Sequence, residues 1–298
     1  MTVREVLNLV THQLEDHRVE NPRLNAELLL ANCMNLEREG LYARLQDSIT
    51  EKEKKEIDQK LQRRVFGEPL QYILGKQEFW SIGFDVDSRV LIPRPETEIL
   101  VEQALFILSE MSFERKPIAL DIGTGSGAVA VSLAKERKDL SVVATDISIE
   151  ALILARENAR RNGVLSQIEF VYGDLFLPIK EKESFDLILS NPPYITRAEI
   201  KRLSREVKDY EPAVALDGGE DGLDFYRKIV FEASFYLRKE GWLLLEIGQG
   251  QHIKVLEFVE EKGFFKKAGL IRDLSGIERV VKAQKIQSTK SEIRNKLE

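Results

Sequence analysis

Four consecutive residues, Asn191-Pro192-Pro193-Tyr194, follow an apolar run at 186–190 and carry the most specific chemistry in the chain. Proline lacks an N–H and fixes φ, so such a loop is stiff and its carbonyls are free to face a ligand. Asn191 precedes a proline and is biased toward extended backbone. Its side-chain oxygen and the Pro192 carbonyl then form two acceptors held side by side, which suit one planar NH₂ group. Pro193 stiffens the same pocket, and Tyr194 supplies an aromatic wall beside it. The lone pair of an amide or aryl amine is delocalised, and holding both hydrogens steers it toward an electrophile. Orientation of this kind contributes up to about 7–11 kcal/mol. No strong base is needed before attack, because such a nitrogen turns acidic only after it has gained the new group. The absence of a neighbouring histidine agrees with that chemistry. A plain proline turn is the bland alternative.

Upstream, Gly123-Thr124-Gly125-Ser126-Gly127 sits where a strand turns into a helix. Glycines there let the backbone approach a ligand and point amide groups at it. The run also satisfies a dinucleotide fingerprint, so alone it is a weak signal, and a tight turn without ligand is the competing account. Asp146 ends the next apolar run, where a carboxylate can accept both hydroxyls of a ribose. It could equally cap the helix that Ser148 begins. Together these two signals mean an adenosine-containing cofactor without saying which. Asp174, after the third apolar run, is placed to accept from an adenine amine while Leu175 packs on the ring; a loop or capping aspartate is the alternative.

These residues need a scaffold, and the chain supplies the pattern of one. Apolar runs at 118–121, 142–146, 168–172, 187–190 and 243–247 predict buried strands, and amphipathic stretches at 148–161 and 223–237 predict helices between them. That rhythm predicts an α/β domain, a doubly wound and mostly parallel sheet with helices on both faces. The first 75 residues read as helical instead. Val3, Val6, Leu7, Val10 and Leu14 form one stripe, Asn21-Pro22 reads as a cap with proline at the first helical position, and Thr50 with Glu53 matches a capping box. The charged face of that last helix reads as solvated rather than as a partner surface. Alternation around Ser81-Ile82-Gly83 predicts a short hairpin. The expected organisation is a helical substrate-recognition domain at 1–75, a β-hairpin linker at 76–91, a catalytic domain at 92–283, and a tail at 284–298 without a strong apolar stripe, expected to be disordered.

Composition removes several classes. The chain has 298 residues, 43 % hydrophobic and 32 % charged, which is ordinary globular composition with length for two domains. The longest charge-free stretch, 122–134, is short and glycine-rich, so no membrane span is expected. The N-terminus lacks the apolar run of a signal peptide, and a cytoplasmic soluble protein is expected. One cysteine, Cys33, excludes an internal disulfide and a cysteine-based zinc cluster; it reads as a small core residue. The scattered His12, His17 and His252 make a metal site unexpected. A net charge of −6 argues against stable nucleic-acid binding by charge alone.

The Asp121–Gly127 run, Asp146 and Asn191-Pro192-Pro193-Tyr194 together resemble a class I S-adenosylmethionine-dependent methyltransferase, Rossmann-like in fold, that acts on a planar nitrogen. Glu68-Pro69-Leu70-Gln71-Tyr72-Ile73-Leu74-Gly75, Ile92-Pro93-Arg94-Pro95-Glu96-Thr97-Glu98, Tyr210-Glu211-Pro212 and Gly218-Gly219-Glu220-Asp221-Gly222 are similar to the peptide chain release factor glutamine methyltransferases (HemK/PrmC). The resemblance runs from the helical domain to about residue 283. It implies methylation of the glutamine side-chain amide in the Gly-Gly-Gln loop of class 1 release factors, the protein partners of the enzyme. It assigns catalysis to Asn191, Pro192 and Tyr194, and substrate binding to these three and Pro193. It assigns S-adenosylmethionine to Gly123, Thr124, Gly125, Ser126, Gly127, Asp146, Asp174, Leu175 and Asn191. The family often carries an aromatic residue where Leu175 stands. Arg94, Thr97 and Glu98 are divided between a wall of the cofactor pocket and a plain helix start.

Competing expectations are glutamine methylation of a ribosomal protein, adenine methylation in DNA, and a non-catalytic docking protein. An NAD dehydrogenase is weaker, since no hydride-transfer acid or base stands near the second half of the sheet. A base-extruding DNA enzyme usually offers a basic groove, and no long basic arm exists here.

Overall fold

A computed structural model describes residues 1–180, 184–261 and 263–286. The chain forms two compact units, Met1–Lys76 with Ser204–Tyr210, and Gln77–Leu203 with Glu211–Glu298.

The first unit is helical: α1 (Val3–Asp16), α2 (Pro22–Cys33), α3 (Arg38–Ala43), α4 (Glu51–Val65) and α5 (Leu70–Leu74). Reciprocal capping boxes start α1 and α4, Thr2 with Glu5 and Thr50 with Glu53. The α1 stripe of Val6, Leu7, Val10 and Leu14 packs with Ala26, Leu30, Cys33, Ile57 and Leu61 in one core. Burial pushes the Cys33 thiol up to about 11, the state of an inert core residue. Pro22 opens α2 as expected, but Asn21 does not cap it. Asn21 is left-handed at φ 50° and its side chain makes no cap bond; the Asn25 amide instead donates to the Glu20 and Asn21 carbonyls. The inclusion of Ser204–Tyr210 has no local sequence signal. It is a tertiary effect, carried by buried Arg64, whose guanidinium donates to Asn25 at 2.7 Å and to Glu206 at 2.6 Å.

The second unit begins with a two-stranded sheet, β1 (Lys76–Phe79) and β2 (Ile82–Asp85). Its turn lies at Trp80 and Ser81, both at φ 53°, the left-handed pair of a type I′ hairpin. The turn therefore falls earlier than the Ser81-Ile82-Gly83 expectation, and Gly83 lies inside β2. Beyond a 3₁₀ turn at Pro95–Thr97 come α6 (Glu98–Glu110), β3 (Ile118–Ile122), α7 (Ala128–Glu136), β4 (Ser141–Asp146), α8 (Ile149–Arg161), β5 (Ile168–Tyr172) and β6 (Phe185–Ser190). After α9 (Arg197–Ile200) and α10 (Arg205–Tyr210, in the first unit) follow α11 (Asp224–Tyr236), β7 (Leu237–Glu246), α12 (His252–Glu261), β8 (Phe265–Arg272) and β9 (Glu278–Lys285).

The main sheet has the order β5-β4-β3-β6-β7-β9-β8, parallel except for β9, which is antiparallel to both neighbours. This is the expected doubly wound architecture. All five expected strands form, and β7 begins earlier, at Leu237 opposite Phe185. The antiparallel pair β8–β9 was not anticipated, because its half-buried, lysine-bearing β8 lacks a clean apolar run. The last strand also corrects the boundary at 283. Gln284 pairs with Trp242 and Lys285 with Phe265, and the buried Lys285 amine donates to the Leu237 carbonyl at 2.5 Å. Polar identities hid two strand residues; the rest of the expected disordered tail, from 287, lies outside the described residues. No helix among the described residues is long and apolar enough to cross a membrane.

Candidate active site

The strand order reverses between β3 and β6, which run side by side, and open α/β sheets bind ligands at the carboxyl ends of strands at such a switch point. A cavity lies there, and its walls come from the loops that follow β3, β4, β5 and β6. Gly123, Thr124, Gly125, Ser126, Asp146, Asp174, Leu175, Asn191, Pro192 and Pro193 all line it. Ten of the residues singled out from sequence are thus brought together. Gly127 and Tyr194 are not among the lining residues.

Gly127 shapes the loop from behind. It is left-handed at φ 81° ahead of α7, and a Cβ there would stand 3.1 Å from that of Ala155 on α8. The loop is further held by Gly123 and Thr124 amides donating to the Thr145 carbonyl, each at 2.9 Å. Asp146 ties the glycine loop to the turn that opens α8. Its Oδ2 accepts from the Gly125 amide at 2.8 Å and its Oδ1 from the Ser148 amide at 2.9 Å. The α8 cap proper is the Ser148 hydroxyl, which accepts from Ala151. Burial pushes the Asp146 carboxyl up, while the amides of Ser148, Gly125 and Ile147 oppose it. A carboxylate has about four lone-pair sites, so room remains for two hydroxyls.

Asp121, near the end of β3, also lines the cavity; the sequence marks it as the first residue of the Asp121–Gly127 run but gives it no role of its own. Burial raises its carboxyl to about 6, against a 2.7 Å bond from the Thr124 hydroxyl. Its signal was the charged residue closing an apolar strand. Leu175 is left-handed at φ 47°, a conformation that costs a branched side chain roughly 1–2 kcal/mol. Strain of that kind gathers at ligand sites. Phe225 and Lys228, on α11, complete the wall nearby.

The Asn191 loop is anchored on three sides. Asn191 Nδ2 donates to the Thr97 hydroxyl at 3.1 Å. Among the described residues, neither Asn191 Oδ1 nor the Pro192 carbonyl accepts a hydrogen bond. The next residues are bolted to the 212–222 segment: Ile195 donates to the Leu216 carbonyl, and Gly218 donates back to Ile195. Tyr194 packs behind the loop. Its ring packs against the core that includes Leu245 and Ile247, and its carbonyl accepts from the Gln251 amide at 2.9 Å. Burial pushes its phenol up to about 12. The described contacts of Tyr194 are thus those of a packing residue of the loop.

Arg94 and Thr97 line the cavity, whereas the Glu98 carboxylate accepts from the Trp80 amide at 2.7 Å. Arg94 is fixed by Glu211, which is almost fully buried, at 2.5 Å, and Glu211 also accepts from the Ile92 amide at 3.3 Å. Two of the motifs quoted from sequence thus clasp each other.

The residues present fit S-adenosylmethionine. The cavity offers loop amides, the Asp146 carboxylate, and the Thr145 hydroxyl, which is buried at the wall and has no partner among the described residues. Residues 5–75 match the PrmC N-terminal domain, and residues 101–207 match the methyltransferase small domain. The release factor glutamine methyltransferase of Geobacter sulfurreducens is 44 % identical over 283 residues, covering 94 % of this chain and 95 % of that protein. That of Koribacter versatilis is 41 % identical over 286 residues, covering 96 % and 99 %. The crystal structure of a methyltransferase from Pyrococcus furiosus shares the fold, with a TM-score of 0.50 at 21 % identity over 77 % of this chain and 99 % of that one. With such likeness across both units, the chain belongs to the release factor glutamine methyltransferase family.

Proposed function

We propose that this enzyme transfers a methyl group from S-adenosylmethionine to the side-chain amide nitrogen of the glutamine in the Gly-Gly-Gln motif of peptide chain release factors. The observation that carries this reading is the pair of open acceptors, Asn191 Oδ1 and the Pro192 carbonyl, at the wall of a cavity whose other side is built for a nucleoside. The helical unit, matched by the PrmC N-terminal domain, recognises the release factor, and the reaction belongs to the cytoplasm, where translation ends.

Bound S-adenosylmethionine supplies an electrophilic methyl carbon on a sulfonium leaving group. The residues of the chain do the rest by placement. The Gly123–Gly127 loop and Asp146 hold the nucleoside, with Asp174 and Leu175 at the adenine. Asn191 Oδ1 and the Pro192 carbonyl each accept one N–H of the glutamine amide, which fixes its plane and turns the nitrogen lone pair toward the methyl carbon. The nitrogen then carries an extra proton and is strongly acidic, so either acceptor can pass that proton to water. Thr97 and the stiff Pro192-Pro193 pair keep Asn191 in register during transfer.

The direct test is methyl transfer from labelled S-adenosylmethionine to an unmethylated release factor, with ribosomal proteins and unmethylated DNA alongside. Label mapped by mass spectrometry to the Gly-Gly-Gln glutamine, and lost when that glutamine is replaced, is the expected result. Label only on ribosomal protein or DNA would overturn the substrate and leave the fold and cofactor standing.

A further inference from the structure

Three aspartates, Asp121, Asp146 and Asp174, line the cavity. S-adenosylmethionine brings a further carboxylate at its amino-acid end, and like charges repel, so that end needs a cation to meet it. Among the described residues the wall holds three cationic side chains, Arg89, Arg94 and Lys228. Arg89 is committed to Asp87, which accepts from its Nε at 2.8 and 3.0 Å and from its Nη2 at 2.7 Å. Lys228 stands on α11, its amine 5.8 Å from the centre of the Phe225 ring. Arg94 is different. Its Nη2 donates to Glu211 at 2.5 Å, and among the described residues that is its one side-chain hydrogen bond. A guanidinium has five N–H donors in a planar fork, so four remain. With 34 % of the side chain exposed on the cavity wall, those donors are left for water or a ligand.

The place of Arg94 in the fold says which ligand group it meets. The Thr97 amide donates to the Arg94 carbonyl at 3.1 Å, and the Thr97 hydroxyl accepts from Asn191 at 3.1 Å. Arg94 therefore stands one short turn away from the loop that holds the methyl acceptor. The sulfonium joins the nucleoside to the amino-acid carbon chain, and its methyl must reach the amide held at Asn191. With the nucleoside between Asp146 and Asp174, the amino-acid end falls on the Asn191 side, where Arg94 is the cation at hand.

Glu211 sets where that guanidinium points. Its side chain is 1 % exposed, and besides Arg94 it accepts from the Ile92 amide at 3.3 Å, two residues before Arg94 itself. A carboxylate removed so far from water gains little net stability from an ion pair. It does gain direction, because one anchored N–H fixes the plane of the whole fork, and a fixed fork matches a carboxylate with two parallel bonds. We propose that Arg94 receives the carboxylate of S-adenosylmethionine and that Glu211 is the positioning residue that aims it there. This rests on the function proposed above, in which the nucleoside lies at Asp146 and the reacting methyl at Asn191.

The test compares two ligands by calorimetry on the full-length protein. One is S-adenosylhomocysteine; the other is its decarboxylated analogue, which keeps the nucleoside, the thioether and the ammonium. The wild type should prefer S-adenosylhomocysteine by about tenfold or more, the worth of a hydrogen bond between charged groups. Arg94→Gln should lose about that factor for S-adenosylhomocysteine and stay within about twofold for the analogue, so that the two affinities converge. Glu211→Gln keeps the shape and an acceptor for Ile92 but frees the guanidinium to turn, and should lose roughly three- to tenfold, again for S-adenosylhomocysteine alone. The double variant Arg94→Gln/Glu211→Gln leaves no buried charge unpaired and should match Arg94→Gln, since Glu211 acts only through Arg94. Equal losses for both ligands in these variants would mean a structural role and overturn the inference. So would an Arg94→Gln or Glu211→Gln protein that keeps the wild-type preference. A wild-type enzyme that methylates no release factor, alongside variants that show the convergence, would bear this inference out and overturn the proposed substrate.

Discussion

Gly218 stands so close to Tyr194 that a Cβ on it would lie 2.7 Å from the Tyr194 Cα. That contact joins two stretches which look unrelated in sequence, the glycine-rich 218–222 segment and the acceptor-bearing loop. Gly222 approaches the Tyr194 carbonyl just as closely, and the Gly218 amide donates to the Ile195 carbonyl at 2.9 Å. The neighbouring atoms at Gly218 are backbone, which cannot swing aside. Gly218→Ala should therefore displace the Asn191 loop and cost about 1–3 kcal/mol of stability. Chemical denaturation checks the stability, and single-turnover methylation checks the loop. Unchanged turnover in a folded Gly218→Ala protein would show that the loop does not depend on this contact.

Asn191→Ala removes an acceptor offered to the substrate and leaves the nucleoside side of the cavity intact. Turnover should fall by at least about two orders of magnitude, the size of effect expected when a reacting group loses its orientation. S-adenosylhomocysteine affinity, read by calorimetry, should stay within about twofold. Equal losses in both quantities would move Asn191 from the substrate to the cofactor.

Much of this site was legible because its residues are local punctuation in an apolar pattern. Glycines after β3, an aspartate after β4, Asp174-Leu175 after β5 and Asn191-Pro192 after β6 each end a strand, and parallel strands bring their ends together. What stayed hidden depends on distance in space. Nothing local shows that Gly218, Gly222 and Gln251 pack against the Tyr194 backbone. The Glu211 carboxylate explains Arg94 only once the chain has folded. Strand β8 is hidden for a related reason, since it stands at the edge of the sheet, half solvated, and its pattern is diluted by lysine.

Asp146→Ala should act in the opposite way to Asn191→Ala. The carboxylate organises the glycine loop through Gly125 and starts the next turn through Ser148, besides the ribose contact proposed for it. Losing a charged acceptor for two hydroxyls is worth about 1.5–3 kcal/mol for each hydrogen bond. S-adenosylhomocysteine affinity should thus fall at least tenfold, while kcat at saturating cofactor falls much less. If affinity held and kcat alone collapsed, the ribose assignment would be wrong.

In the helical unit, Glu27 is 1 % exposed and gathers three donors: Arg23 at 2.9 Å, Arg38 at 2.7 Å, and the Tyr42 hydroxyl. Burial alone would raise its carboxyl, but the bonds from Tyr42, Arg38 and Arg23 outweigh it, and the group sits below the usual 4.5. A lowered carboxyl stabilises the folded state above its unfolded pKa, and that stability is lost as pH falls from about 4.5 through the lowered value. Both arginines are nearly half exposed, so solvent screens their share. Glu27→Gln should cost about 1–3 kcal/mol at pH 7, with the gap to wild type closing below pH 4.5. Hydrogen exchange of the α2 amides in the full-length protein, measured at pH 7 and in acid, reads both numbers. A gap that persisted unchanged in acid would mean that Glu27 stabilises α2 through its shape rather than its charge.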